Sequence, residues 1–167
     1  GRNDFYMAEA VEDLFITILK TDSRTDKQFL QEHFQWTFLG KGWELIAERL
    51  QQVGFEVRHI TFAPDYIAEL QQHDIQITPI SVGTGTKGKV LDAIANGLLE
   101  IGTPGALENI VVENGTSCII YQEAKELIGI LKDIANQPER YEKMARSGME
   151  RVRQYHNASD IAEKLFS

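Results

Sequence analysis

Short apolar runs, each followed by a helix-period stretch, recur six times along this chain, and few architectures accept that order. "LFITIL" (Leu14 to Leu19) comes first, followed by "DSRTDKQFLQEH" with helix formers. "FQWTFLG" is the second run and ends at Gly40. "KGWELIAERLQQVG" then spaces Trp43, Ile46, Ala47 and Leu50 three and four apart, a helical stripe closed by Gly54. "FEVRHITF" alternates as a strand does, and "PDYIAELQQH" opens a short helix at Pro64–Asp65. "DIQITPI" is the fourth strand. "KGKVLDAIANG" puts Val90, Leu91, Ile94 and Ala95 on one face, with Gly97 as its C-cap. "LLEIGT" is the fifth strand, "PGALENIVVENG" a short helix and turn, and "TSCIIY" the sixth strand.

The last forty-odd residues read as helical. Leu127, Ile130, Leu131 and Ile134 form one stripe. Pro138 opens the next helix, where its missing N–H costs nothing. Tyr141, Met144, Ala145, Gly148, Val152 and Tyr155 line that helix, and "NASDIAEKLF" starts a further one with Ser159 as N-cap. Strand then helix, repeated, predicts an α/β fold with a parallel six-stranded sheet, helices on both faces and a helical C-terminus. Ligands of such open sheets bind beyond the carboxyl ends of the strands.

One stretch has that position and a composition suited to it. "GTGTKGKVL", residues 83 to 91, lies between the fourth strand and its helix and fits two nucleotide motifs. Gly83, Gly88 and Lys89 satisfy G-x-x-x-x-G-K, yet the next residue is Val90 and no Ser or Thr hydroxyl follows to reach Mg²⁺. Gly83, Gly85 and Gly88 satisfy G-x-G-x-x-G, yet this motif belongs to a first βα unit with an acid about twenty residues on. Here the motif follows a fourth strand, and Glu100 comes early and inside a strand. What survives is physical. A glycine-rich turn entering a helix exposes backbone N–H groups at the positive end of the helix dipole, which suits an anion. A tight turn with two solvated lysines fits the same residues equally well.

Composition narrows the classes. A formal charge of −8 argues against a broad nucleic-acid surface. With 43% hydrophobic residues the chain can fill a core, and its length suits one domain. The single Cys118, in "SCIIY", excludes an internal disulfide framework, fits a reducing compartment and reads as a small buried hydrophobe. No apolar run approaches the length of a transmembrane helix and no signal peptide is visible. His33, His59, His73 and His156 show no metal-ligand spacing. Trp36 and Trp43 are expected in the core, and "ERYEKMARSGMERVR" as a solvated helix face.

From Pro79 through "KVLDAIANG", "LLEIGT", "PGALENI", "ENG" and "CIIY", the order of elements resembles the nucleotide-sugar-binding half of GT-B glycosyltransferases. The resemblance runs over residues 12 to 167. It implies a Rossmann-like donor-binding domain, with residues 1–11 a tag remnant and interdomain linker, and with an N-terminal acceptor domain lying outside this chain. Many retaining members carry two glutamates separated by seven residues. The second matches Asp92, and the first falls on Thr84, which is no acid. A variant turn like "GtG..nKvlEA" is nearer to this sequence, and there the lysine matching Lys89 faces the site.

The resemblance implies a sugar nucleotide, UDP- or GDP-linked, as donor. Gly83, Thr84, Gly85 and Thr86 would hold its diphosphate. Lys87 or Lys89 would neutralise the leaving nucleotide, and Asp92 would accept from the ribose hydroxyls. Lys89 and Asp92 are thus the catalytic candidates. Phe62 to Asp65 would flank the base. Arg24 and Lys27 lie where many members place a phosphate-binding pair, and Glu108 would face the sugar; solvated helix-surface charge is the competing reading for all three. No Asp-x-Asp is present, so donor binding without a metal is expected, with no cofactor. The implied activity is hexosyl transfer to a glycan or lipid-linked acceptor in cell-surface polysaccharide assembly. It would take place in the cytoplasm or at the inner membrane face, and this fragment alone would be inactive. A nucleotide-sugar epimerase of the same fold is one rival. A flavodoxin-like or receiver-like signalling module is another, although Asp22 and Asp65 do not make a receiver's acidic set.

Overall fold

A computed structural model describes residues 24–40, 42–78, 87–107 and 112–166. The first expected strand, Leu14 to Leu19, lies outside them, as do residues 1–11. The chain divides into two compact units, one of residues 1–64 and 122–137, the other of residues 65–121 and 138–167.

The first unit holds helix α1 (Arg24–His33), strand β1 (Trp36–Leu39), helix α2 (Glu44–Gln52), strand β2 (Val57–Ile60) and helix α6 (Ala124–Asn136). β1 and β2 pair in parallel, with Trp36 opposite Val57 and Leu39 opposite Ile60. The α2 stripe behaves as its spacing predicts: Trp43, Ala47 and Leu50 are buried. Trp43 donates from Nε1 to the Leu39 carbonyl at 3.2 Å, so its indole is satisfied as well as packed. Gly54 has φ +101°, a left-handed conformation that ends α2 and that L side chains rarely adopt. His59, for which strand alternation suggests no role, donates from Nε2 to the Gly40 carbonyl at 2.8 Å and ties β2 to the end of β1. α6 starts with a reciprocal capping box between Glu123 and Glu126, and its Leu127, Leu131 and Ile134 are buried. Lys132 of α6 pairs with Asp26 of α1.

The second unit holds α3 (Tyr66–Leu70), β3 (Ile75–Thr78), α4 (Lys87–Ala95), β4 (Leu99–Gly102), α5 (Pro104–Leu107), β5 (Ile119–Ile120) and α7 (Pro138–Phe166). Its three strands are parallel in the order β3-β4-β5. Five of the six expected strands are therefore described, in a two-stranded and a three-stranded parallel sheet, and a single six-stranded sheet is not what the described residues form. β5 is shorter than "TSCIIY" suggests, because Asn114 to Cys118 is a turn closed by Gly115 N to Cys118 O at 2.8 Å and by a bridge between Asn114 and Cys118.

Val90, Ile94, Leu107, Cys118 and Val152 form one buried cluster of this unit; Leu70, Ala93 and Leu98 form another, with Tyr66 against it. α7 packs on α4 and β4. Its Gly148 sits so close to the 113–118 turn that a Cβ there would lie 2.6 Å from the Ser117 carbonyl oxygen. Two sequence expectations for this helix fail. α7 continues unbroken through Ser159, which is interior and not an N-cap, since no Gly or Pro interrupts residues 149–166. Tyr155 is exposed although its spacing continues the buried stripe of Tyr141, Met144, Ala145, Gly148 and Val152.

One core residue is an acid. Glu100, in the middle of β4, is fully buried between Leu99 and Ile101, which are buried too. Burial pushes its carboxyl well above the usual carboxylate range, opposed only in part by hydrogen bonding from Thr78 and Gln76. As pH rises, the unfolded chain therefore loses this proton first. The contribution to stability is complete below the usual glutamate range and declines toward the raised folded value, at up to about 1.4 kcal/mol per pH unit.

Two measurements check these features. Gly148→Ala should lower the urea midpoint, costing about 1–3 kcal/mol through overpacking, even though alanine in a helix interior ordinarily gains up to about 1 kcal/mol. Gly129→Ala in α6, where a Cβ meets nothing within 4 Å, should do the opposite. The stability of Glu100→Gln, measured across about pH 4 to 7, should improve relative to wild type as pH rises; a constant difference would mean that Glu100 titrates normally.

Candidate functional site

α4 is the element on which the sequence concentrated its site, and its two faces differ. Val90, Ala93 and Ile94 are buried, while Gly88, Lys89 and Asp92 are exposed. Lys89 and Asp92 are three apart, so they share the solvent side of the helix within about one turn. Lys87 is the first helical residue. Gly83, Thr84, Gly85 and Thr86 lie outside the described residues, and so does Glu108. A cationic residue at each of positions 87 and 89, with no acid in the first turn, leaves the positive end of this helix uncompensated.

Both ends of α4 are held by side chains. Arg153 of α7 donates from Nε to the Ala95 carbonyl at 2.8 Å, filling an acceptor that the helix end leaves open. Near the other end, Gln76 of β3 donates from Nε2 to the Lys89 carbonyl at 3.4 Å. Asn96 donates from its side chain to the Asp92 carbonyl at 2.8 Å, which closes the helix below Asp92 without engaging its carboxylate.

The remaining candidates divide between the two units. Asp65 belongs to the unit that carries α4, and its carboxylate caps α3 by accepting from Ala68 N at 3.0 Å. That bond gives it a structural task beside any contact with a base. Phe62, 76% exposed, belongs to the other unit, as do Arg24, exposed at the start of α1, and Lys27, half-buried one helical turn on. The neighbouring Asp26 is engaged by Lys132.

Two residues near α4 have no role assigned by the sequence: Tyr66, which it does not single out, and Glu100, which it notes only as an acid inside a strand. Tyr66, half-buried against the cluster that includes Ala93 of α4, has its phenol pushed up by burial and then by Asp92 and Glu100. Glu100 accepts a hydrogen bond from the Thr78 hydroxyl, and its charge also raises Tyr121 and Cys118. The Cys118 thiol reaches about 11, mainly through burial, which suits the expected buried hydrophobe and no nucleophile. For Tyr66 the only sequence signal is its place one residue after the Asp65 cap. For Glu100 it is the presence of an acid inside an apolar strand. Among the described residues no group of three or more His, Cys, Asp or Glu is placed to hold a metal ion, and no helix is long and apolar enough to cross a membrane.

Comparison with known proteins agrees with this architecture. No curated protein matches the sequence. Among solved structures, the chain is similar to one described as the C-terminal domain of a glycosyl transferase group 1 family protein (LpcC) from Francisella tularensis. The similarity has a TM-score of 0.62 and 15% identity over 90% of this chain and 80% of that one, a likeness of fold. Residues 24–167 match the family model for glycosyl transferase-like proteins, and on that match, which spans most of the sequence, the chain belongs to the glycosyl transferase-like family.

Proposed function

We propose that this chain is the donor-binding domain of a GT-B glycosyltransferase that takes a UDP- or GDP-linked sugar. The observation that carries the reading is the α4 surface: Lys89 and Asp92 together on the solvent side of a helix that a glycine-rich segment enters, in a chain of this family. An uncompensated helix N-terminus with two lysines suits a diphosphate. A carboxylate nearly one turn further on suits a ribose, whose hydroxyls donate to it.

In transfer, the bond between the sugar's anomeric carbon and the β-phosphate oxygen breaks and a bond to the acceptor oxygen forms. Negative charge grows on the departing diphosphate. Lys89, or Lys87, stabilises that charge, and the same cation binds it less strongly in the ground state, where the charge is smaller. The acceptor's proton has no recipient among the residues proposed here, so its base belongs to the acceptor side. The acceptor, a glycan or a lipid-linked saccharide of cell-surface polysaccharide, would be held by an N-terminal domain preceding this one, in the cytoplasm or at the inner membrane face. Thr84 stands where many retaining members have a glutamate, so the two-glutamate mechanism is not part of the proposal. Donor binding is proposed to need no metal.

Isothermal calorimetry tests this reading. UDP or GDP should bind without added divalent metal, and Lys89→Ala and Asp92→Ala should each weaken binding about tenfold, or ~1.4 kcal/mol. The same chain supplied with a sugar nucleotide and candidate acceptors should give no transfer product. Silence with both nucleotides overturns the reading, and undiminished binding by both variants moves the site off α4.

A further inference from the structure

The parallel pairing of β3 with β4 sets Gln76 opposite Glu100 and Thr78 opposite Gly102. Strand alternation then puts Gln76, Thr78 and Glu100 on one side of the sheet and Ile75, Ile77, Leu99 and Ile101 on the other. The three polar side chains form a continuous line of hydrogen bonds. The Thr78 hydroxyl donates to Glu100 Oε1. Gln76 Nε2 donates to Thr78 Oγ1 at 3.4 Å and to the Lys89 carbonyl at 3.4 Å. A glutamine amide carries two N–H donors, so one nitrogen can serve both acceptors. The line begins on a fully buried carboxyl in the core strand and ends on the third residue of α4.

An acid is an expensive way to fill that place. An apolar residue of similar volume would pack there with no polar group to satisfy, and buried polar groups of this kind often contribute geometry in place of net stability. What Glu100 contributes is an acceptor at a fixed point. Thr78 is held by it, Gln76 is oriented by Thr78, and the first turn of α4 is held by Gln76. Arg153 secures the opposite end of the same helix at Ala95. Among the described residues the second carboxyl oxygen, Oε2, has no hydrogen-bond partner, which adds to the cost of keeping an acid there.

We propose that Glu100 is a positioning residue: acting through Thr78 and Gln76, it fixes the first turn of α4 and so the placement of Lys89 and Asp92 for the donor's diphosphate and ribose. The role in donor binding rests on the function proposed above; the anchoring of α4 does not. The oxygen that accepts from Thr78 is kept by an amide of the same shape. Glu100→Gln should therefore preserve the device, whereas Glu100→Leu, which removes the acceptor, and Gln76→Leu, which removes the link to Lys89, should break it.

Amide hydrogen exchange and calorimetry on the four proteins separate the possibilities. Glu100→Leu and Gln76→Leu should speed exchange of the amides from Val90 to Ile94 by tenfold or more, with those from Tyr141 to Val152 of α7 within twofold of wild type. Glu100→Gln should match wild type in both segments. Affinity for UDP or GDP should fall five- to twentyfold in the two leucine variants and stay within twofold in Glu100→Gln. If Glu100→Leu does not fold, Gln76→Leu decides, since Gln76 is only half-buried. Unchanged exchange in α4, equal acceleration in α4 and α7, or a glutamine variant as impaired as the leucine one overturns the proposal. If wild type binds neither nucleotide, the donor-site reading fails, and the exchange pattern still decides whether Glu100 anchors α4.

Discussion

Parallel pairing of Ile75–Thr78 with Leu99–Gly102 is the constraint from which the second unit follows. Parallel neighbours cannot be joined by a hairpin; the chain must leave the end of one strand, cross over the sheet and re-enter at the start of the next. The crossover here is α4. Because it leaves from the carboxyl end of β3, the helix begins at the strand-end edge where ligands of open sheets gather. The same geometry explains why α4 is apolar on one side and charged on the other: Val90, Ala93 and Ile94 must cover the sheet, and Lys89 and Asp92 are what remains. Fold and candidate site are thus consequences of one pairing.

Much of this was readable in the residues, for identifiable reasons. Helical stripes declare themselves because 3.6-residue periodicity with one buried face is a strong signal; the α2 and α6 stripes were legible at Trp43, Ala47 and Leu50 and at Leu127, Leu131 and Ile134. Pro64–Asp65 was legible as a helix start because its cap chemistry is local, and the Asp65 carboxylate does accept from Ala68 N. Lys89 and Asp92 were named on the family resemblance; spacing showed only the apolar stripe of α4, and their exposure fits it.

What was not legible depends on tertiary contact. β4 is buried at all four positions, so no alternation exposed the unusual status of Glu100. The continuity of α7 through Ser159 shows a good capping residue overruled by a helix already under way. His59 has meaning only beside Gly40, and Gly148 only beside Ser117. Pairs so distant along the chain leave no local mark. Nor does sequence spacing reveal that Arg24, Lys27 and Phe62 belong to one unit and Lys87, Lys89, Asp92 and Asp65 to the other.

That division has a consequence for the order in which the protein is made. Each unit is built from two separated stretches, 1–64 with 122–137 and 65–121 with 138–167. α6 supplies Lys132 to Asp26 of α1, yet it is synthesised only after β3, β4 and β5. The first unit must therefore wait, with β1 and β2 already translated, until residues of the second have emerged, and the second waits in turn for α7. Neither can complete its core as an early, self-contained piece during elongation; residues 122–137 close the first and residues 138–167 the second.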